Sequence, residues 1–309
     1  MIIKPTMKNK VYSQIDRIPT GDAKEGITQG CMVLEGGALR GVYTSGVLDF
    51  LMEQGINLET TIGISAGAMC GICYATGDIG RAARTNLGYR HDKRYIGSLQ
   101  VYRRNKGVIG FDFCFGELNK TLPIHFERLD DHKRRFIAVA TSLETGKAVH
   151  FEYGKCSSII KAIQASASMP YVSKPVMIDD KPYLDGGVEI KTPYKWALEQ
   201  GYSKIVLVMT RHRGFRLPLK KSAARNAKLF YGKYKDFAKT LGRIQEQSNL
   251  EYDEIDRLTD EVRIFTFYPS KPLEVSRLEK NMEKLGEIYW LGYHDAENRL
   301  EELKKYLEI

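Results

Sequence analysis

The chain has 309 residues, 43% hydrophobic and 28% charged, enough apolar material for one large α/β domain with a full core. Its opening stretch, MIIKPTMKNK, is basic with no apolar run behind it, and no segment approaches the unbroken apolar length of a membrane helix. A secretory signal and a spanning segment are excluded, and the expectation is a cytoplasmic protein whose contact with membranes is peripheral.

Five scattered cysteines (Cys31, Cys70, Cys73, Cys114, Cys156) fit reduced thiols better than a disulfide framework. Cys70 and Cys73 form a C-x-x-C, but no second Cys/His pair accompanies them and their neighbours read as the small buried face of a helix. No metal and no cofactor is expected. The net charge of +9 is concentrated in two blocks: Arg81–Lys106 holds 8 Lys/Arg against Asp92, and Arg211–Arg243 holds 11 against Asp236. The remainder is acidic.

Met1 to about Gly30 is polar and turn-rich and reads as an N-terminal extension. Cys31-Met-Val-Leu34 is a short apolar strand running into Glu35-Gly36-Gly37. After it, Val47, Phe50, Leu51 and Gln54 recur at helical spacing up to Gly55. The pattern repeats, with a strand at Thr60–Ile64, then Ser65, then a small-residue helix over Ala66–Tyr74. Arg81–Gly116 is basic and aromatic without a clean period, which predicts helix pieces and loops.

Phe136–Thr141 and Ala148–Tyr153 read as strands and Ser157–Ala167 as a helix. Val176–Ile178 and Pro182–Leu184 read as a hairpin leading to Asp185-Gly186-Gly187. Ile205–Met209 is the strongest buried parallel strand. Basic helices follow, then a strand at Val262–Phe267 and a helix with Val275, Leu278, Met282, Leu285 and Ile288 on one stripe. The alternation predicts an α/β fold with a mostly parallel central sheet covered on both faces. The simplest division is a catalytic core over 31–210 with a basic, helical region over 211–309 packed on the same domain.

The chemistry centres on Gly63-Ile-Ser65-Ala-Gly67, a G-x-S-x-G placed where a strand ends and a helix begins. The glycines permit the sharp turn that exposes a serine, and the helix N-terminus offers N–H groups to a developing oxyanion. A serine hydroxyl needs a base. No histidine follows a strand end as a catalytic histidine loop does; His212, after Thr210, comes nearest. Asp185 stands out instead, a single acid at a strand end with Gly186 and Gly187 bringing the backbone close around it.

Glu35-Gly36-Gly37-Ala38-Leu39-Arg40-Gly41 lies between a strand and a helix, where successive N–H groups form an anion-binding concavity. It lacks the glycine spacing of a dinucleotide site and the G-K-[ST] of a P-loop. Arg40 either lends charge to that concavity or pairs with an acid.

Taken together, Gly36-Gly37-x-x-Arg40-Gly41, Gly63-x-Ser65-x-Gly67, Ala165-Ser-Ala-Ser-Met-Pro170 and Asp185-Gly186-Gly187 resemble the patatin-like phospholipase family in order and approximate spacing, over about Cys31 to Thr210. The resemblance implies a three-layer α/β/α fold and a Ser-Asp dyad without histidine. Ser65 would be the acyl-forming nucleophile on an elbow flanked by Gly63 and Gly67. Asp185 would be its base, and Gly36, Gly37, Ala38 and Arg40 would form the oxyanion hole. The chain departs from the family in its first block, where Glu35 precedes only two glycines and Ala38 fills the third place.

The implied activity is hydrolysis of fatty-acyl esters of lipids through an acyl-serine. The competing readings are a non-catalytic lipid-binding protein on the same scaffold and an acyltransferase. Phe215, Phe230, Tyr231, Tyr234 and Phe237 interleave with the basic residues of Arg211–Arg243, a composition suited either to anionic lipid headgroups or to a solvated helix with its aromatics in the core. No nucleic-acid-binding module accompanies the basic stripe.

Overall fold

The computed structural model describes residues 10–309. In chain order the strands are β1 (Gly21–Asp22), β2 (Thr28–Leu34), β3 (Leu58–Ile64), β4 (Asp78–Ile79), β5 (Arg135–Ser142), β6 (Ala148–Glu152), β7 (Val176–Ile178), β8 (Lys181–Asp185), β9 (Ile205–Val208) and β10 (Phe265–Phe267). The α-helices are α1 (Gly41–Glu53), α2 (Ala66–Thr76), α3 (Arg81–Tyr89), α4 (Leu99–Asn105), α5 (Ile159–Ser166), α6 (Tyr194–Glu199), α7 (Ala223–Tyr231), α8 (Lys235–Gly242), α9 (Ile244–Asp260), α10 (Met282–Asn298) and α11 (Leu300–Leu307).

The main sheet runs β10-β9-β2-β3-β5-β8-β7, parallel from β10 through β5, with β8, β7 and β6 joining antiparallel. This is the mostly parallel, helix-covered α/β architecture expected from the sequence. Because side chains alternate across a strand, β2 sends Met32 and Leu34 into one core and Cys31 and Val33 into another. The first core joins the sheet to α1, α2, α5 and α10; the second joins it to α6 and α9. A smaller third core seats α8 against Leu143, Leu184 and Val188.

The C-terminal region is built into this body. Helices α1 and α10 cross so closely that a Cβ on Gly46 would lie 2.0 Å from the Tyr289 carbonyl oxygen, and one on Gly292 would lie 2.1 Å from that of Tyr43. Two buried tyrosine–aspartate hydrogen bonds close the crossing, Tyr43 to Asp295 at 3.1 Å and Tyr289 to Asp49 at 2.9 Å. The residues ahead of β2 also pack, with Tyr12 and Ile18 buried in the first core.

Two elements begin later than their hydrophobic pattern predicts. Arg263 N–H bonds the Leu258 carbonyl and Val262 N–H that of Thr259, with Val262 at φ 55°, so the end of α9 consumes the residues expected to open β10. The stripe Val275, Leu278, Met282, Leu285, Ile288 is helical only from Met282. The Asn281 side chain accepts from Glu283 N at 3.0 Å and Lys284 N at 3.2 Å and fixes the start of α10 there. Val275 and Leu278 therefore lie in the irregular segment 268–281. No helix among the described residues is long and apolar enough to cross a membrane.

Candidate active site

Strand β3 ends at Ile64 and α2 begins at Ala66, leaving Ser65 alone in the turn at φ 55°, ψ −121°. That backbone is strained for a residue with a Cβ, and the surrounding packing holds it. A Cβ on Gly63 would lie 2.6 Å from the Gly67 carbonyl carbon, and one on Gly67 would lie 2.5 Å from the Leu34 carbonyl oxygen. Only glycine fits at these positions, because β3, α2 and β2 meet there backbone to backbone.

The sheet brings Asp185 to the same level. Ile64 pairs with Val139 on β5, and the next residue, Ala140, pairs with Asp185 on β8. Ser65 and Asp185 thus flank β5, about 10 Å apart at the backbone by strand spacing. Asp185 is buried, and its Oδ1 accepts from Gly187 N at 2.8 Å. Burial pushes its carboxyl above the ordinary aspartate value. The nearby Lys191 ammonium, the Gly187 N–H and the Ser65 hydroxyl pull the other way. Gly186 is required beneath it, where a Cβ would stand 2.3 Å from the Val139 carbonyl oxygen.

The loop after β2 closes the third side. A Cβ on Gly36 would lie 3.0 Å from the Ser65 Cβ, so this backbone runs directly against the serine. Ala38 takes φ 50°, the left-handed conformation that glycine adopts without strain, at the place where the sequence departs from the pattern it resembles. Among the described residues, no acceptor takes the N–H of Gly37 or Ala38. Glu35 anchors the loop from below, accepting from Thr210 N at 2.6 Å, Thr210 Oγ1 at 2.9 Å and Tyr252 Oη at 2.6 Å. Arg40 is buried and forms no ion pair among the described residues, so the pairing alternative does not hold.

A cleft of about 540 Å³ opens over Ser65, walled by Leu39, Met69, Ile96, Val108, Ile109 and Leu278. Its walls are mostly apolar, with Arg277 the charged residue at its edge. Ile96, Val108 and Ile109 come from the aperiodic block 81–116, whose bridge between Ile96 and Ile109 forms a roof. Sequence reasoning missed these wall residues, and it missed Arg277 and Leu278 because their spacing imitated a helix. None of the six histidines lines the cleft.

Away from the cleft, Asp22, Asp78 and His125 converge, a grouping invisible in the sequence. Arg128 already bonds Asp22 at 2.7 Å and reaches Asp78 at 3.4 Å, while His125 Nδ1 bonds Asp78. A guanidinium thus meets both carboxylates. The C-x-x-C thiols are buried, which pushes Cys70 up to about 11 and Cys73 up to about 12.

The basic block 211–243 is divided by the fold. Phe237 is fully buried, Tyr231 and Tyr234 pack beside it, and Phe215 packs on the second core, leaving Phe230 at 64% exposure.

The chain is 26% identical over 280 residues to the uncharacterized protein YjjU of Escherichia coli, covering 84% of this chain and 74% of that one. It is 27% identical over 191 residues to the probable lipid hydrolase 463L of Invertebrate iridescent virus 6, covering 54% of this chain and 63% of that one. Among solved structures, VipD from Legionella pneumophila aligns with TM-score 0.48 and 13% identity over 98% of this chain and 72% of that one. A domain of unknown function, DUF6363, matches residues 234–308. The patatin-like phospholipase family matches residues 32–198 of the 309, and the chain belongs to that family.

Proposed function

We propose that the protein hydrolyses fatty-acyl esters of lipids with Ser65 as nucleophile and Asp185 as base. The observation that carries the reading is Ser65 itself, strained at φ 55° in a turn level with the buried Asp185 and lining an apolar cleft. The names of the family and of the viral relative support lipid esters as the class.

In this mechanism Asp185 takes the Ser65 proton as Oγ attacks the ester carbonyl carbon. The oxyanion forms against the free N–H groups of Gly37 and Ala38. Collapse breaks the ester C–O bond, and Asp185 returns the proton to the departing alcohol. Water then attacks the acyl-serine with Asp185 again as base, releasing fatty acid. The raised pKa of Asp185 suits this work, because a stronger base is a better proton acceptor.

The same enzyme would work at a lipid surface. Tyr171 and Val172, just beyond the cleft residue Met169, are 46% and 42% exposed, and Tyr171 meets Phe230 of α7 edge to face. Leu229 and Phe230 project at 77% and 64% exposure beside Lys221, Arg225 and Lys228. Exposed apolar side chains in a segment rich in exposed cations fit an anionic membrane face.

The test is a p-nitrophenyl ester series with fluorophosphonate labelling, comparing wild type with Ser65→Ala and Asp185→Asn. Loss of turnover by about 10³ or more in both, with labelling abolished in Ser65→Ala, is expected. Asp185→Asn should melt no lower than wild type at pH 8, because it removes a buried charge whose ionisation opposes folding. Full turnover in Ser65→Ala would sink the reading.

A further inference from the structure

Helix α9 belongs to the C-terminal region, yet its side chains reach two separate loops of the candidate site. Ser248, Tyr252, Ile255 and Leu258 recur at helical spacing along one face, and all four are buried. Tyr252, Ile255 and Leu258 anchor that face in the second core. Tyr252 and its neighbour Glu251 then serve different loops.

The first loop follows β2. Tyr252 Oη donates to Glu35 Oε1 at 2.6 Å, while Thr210 donates to Glu35 Oε2 through its N–H at 2.6 Å and its hydroxyl at 2.9 Å. The Thr210 hydroxyl also reaches the Gly36 carbonyl at 3.1 Å. Glu35 opens the loop that carries Gly37 and Ala38, whose N–H groups have no acceptor among the described residues. The carboxylate from which this loop hangs is therefore fixed by α9 on one oxygen and by Thr210 on the other.

The second loop follows β8. Glu251 Oε2 accepts from Lys191 N at 2.8 Å. Lys191 turns its Nζ back to the Gly187 carbonyl at 2.6 Å, and Gly187 N donates to Asp185 Oδ1 at 2.8 Å. A series of hydrogen bonds thus leads from α9 to the carboxylate proposed as base. The space along it is narrow, since a Cβ on Gly187 would stand 3.0 Å from Asp185 Oδ1 and 3.1 Å from Lys191 Nζ. A displaced Lys191 would be felt at Asp185.

We infer that Glu251 and Tyr252 are positioning residues through which α9 holds the oxyanion loop and the base loop in one arrangement around Ser65. Tyr252 acts through Glu35, and Glu251 acts through Lys191 and Gly187. A nucleophile, its base and its oxyanion donors work together only when their relative placement is held closely, so loosening either loop slows the chemical step more than it weakens substrate binding. The C-terminal region is thereby needed for turnover as well as for stability. This rests on the proposed hydrolase reading.

The experiment is steady-state hydrolysis of a dissolved p-nitrophenyl ester by wild type, Tyr252→Phe, Glu251→Ala, Glu251→Gln and Asp253→Asn. Tyr252→Phe keeps the ring in the core and loses the hydroxyl. Glu251→Gln keeps an acceptor for the Lys191 N–H. Asp253→Asn is the control on the same helix, touching only the exposed pair with Arg216 at 2.6 Å. In Tyr252→Phe and Glu251→Ala, kcat is expected to fall about tenfold with KM within about twofold of wild type. Glu251→Gln and Asp253→Asn are expected to stay within about threefold in both. Unchanged kcat in Tyr252→Phe and Glu251→Ala, with Ser65→Ala inactive, overturns the inference and leaves the hydrolase reading standing. An equal loss in Asp253→Asn would show general loosening of α9 and overturns it too.

Amide hydrogen exchange reads the two arms without turnover. The Gly187 N–H in Glu251→Ala and the Thr210 N–H in Tyr252→Phe should each exchange about tenfold faster or more, with the other amide unchanged. That result supports the positioning role even if wild type hydrolyses nothing, in which case the hydrolase reading alone fails. Unchanged exchange at both amides overturns the inference.

Discussion

The Ser166 hydroxyl accepts the backbone N–H of Ser65 at 2.9 Å and donates to the Val139 carbonyl at 2.6 Å, tying the strained turn to strand β5 through one side chain. Ser166 belongs to the block Ala165–Pro170, which has no acid or base of its own. Its hydroxyl also occupies the Ser65 N–H, so that donor is not open to an oxyanion, whereas the N–H groups of Gly37 and Ala38 have no acceptor among the described residues.

Ser166→Ala should therefore act on the chemical step. It strands a buried N–H and a buried carbonyl, a loss of about 1–3 kcal/mol, and frees the turn to relax. The expected outcome is a lower melting temperature and a kcat reduced about tenfold or more with KM little changed, read from steady-state kinetics. Unchanged kcat would show that packing alone holds Ser65.

The pH profile should report Asp185. Its raised pKa means that kcat/KM falls on acidification with a midpoint above the ordinary aspartate value. Lys191 opposes the rise, and its Nζ bonds the Gly187 carbonyl at 2.6 Å. Lys191→Met removes the opposing charge, so the acid limb should move to higher pH. Movement to lower pH would show that another group controls the limb.

Gly292→Ala should destabilise the protein without touching the cleft. The new Cβ would stand 2.1 Å from the Tyr43 carbonyl oxygen, so α10 must shift off α1. A loss of about 1–3 kcal/mol is expected in urea unfolding. Native-like stability would mean that the crossing is looser than this geometry.

The exposed tip of α7 offers a separable test. Leu229→Ser with Phe230→Ser removes two exposed apolar side chains of α7, so sedimentation with phosphatidylserine vesicles should fall while hydrolysis of a dissolved p-nitrophenyl ester stays within about twofold. Equal vesicle binding would assign lipid contact to another face.

Much of the architecture was legible because it depends on local pattern. Short apolar runs ending in glycine, followed by helical spacing, marked β2-α1 and β3-α2, and Gly-x-Ser-x-Gly marked the one turn where a serine must stand in strained backbone. Asp185 was legible by its glycines. Val275 and Leu278 were misread because apolar spacing records which residues are covered without recording what covers them. Leu278 lines the cleft and Val275 packs against the first core, and Asn281 starts the helix only after them.

The sequence by itself determined the alternation of strands and helices, the glycines demanded by close backbone approach, and the candidate pair Ser65 and Asp185. Those follow from backbone sterics and hydrophobic periodicity, which act between near neighbours in the chain. Only the tertiary structure decided that Asp185 shares a level with Ser65 across β5, that Ser166 takes the Ser65 N–H, and that Arg277 and Leu278 line the cleft. These relationships cross sequence separations that local pattern does not encode, and they are set by strand register and by the packing of α10 on α1.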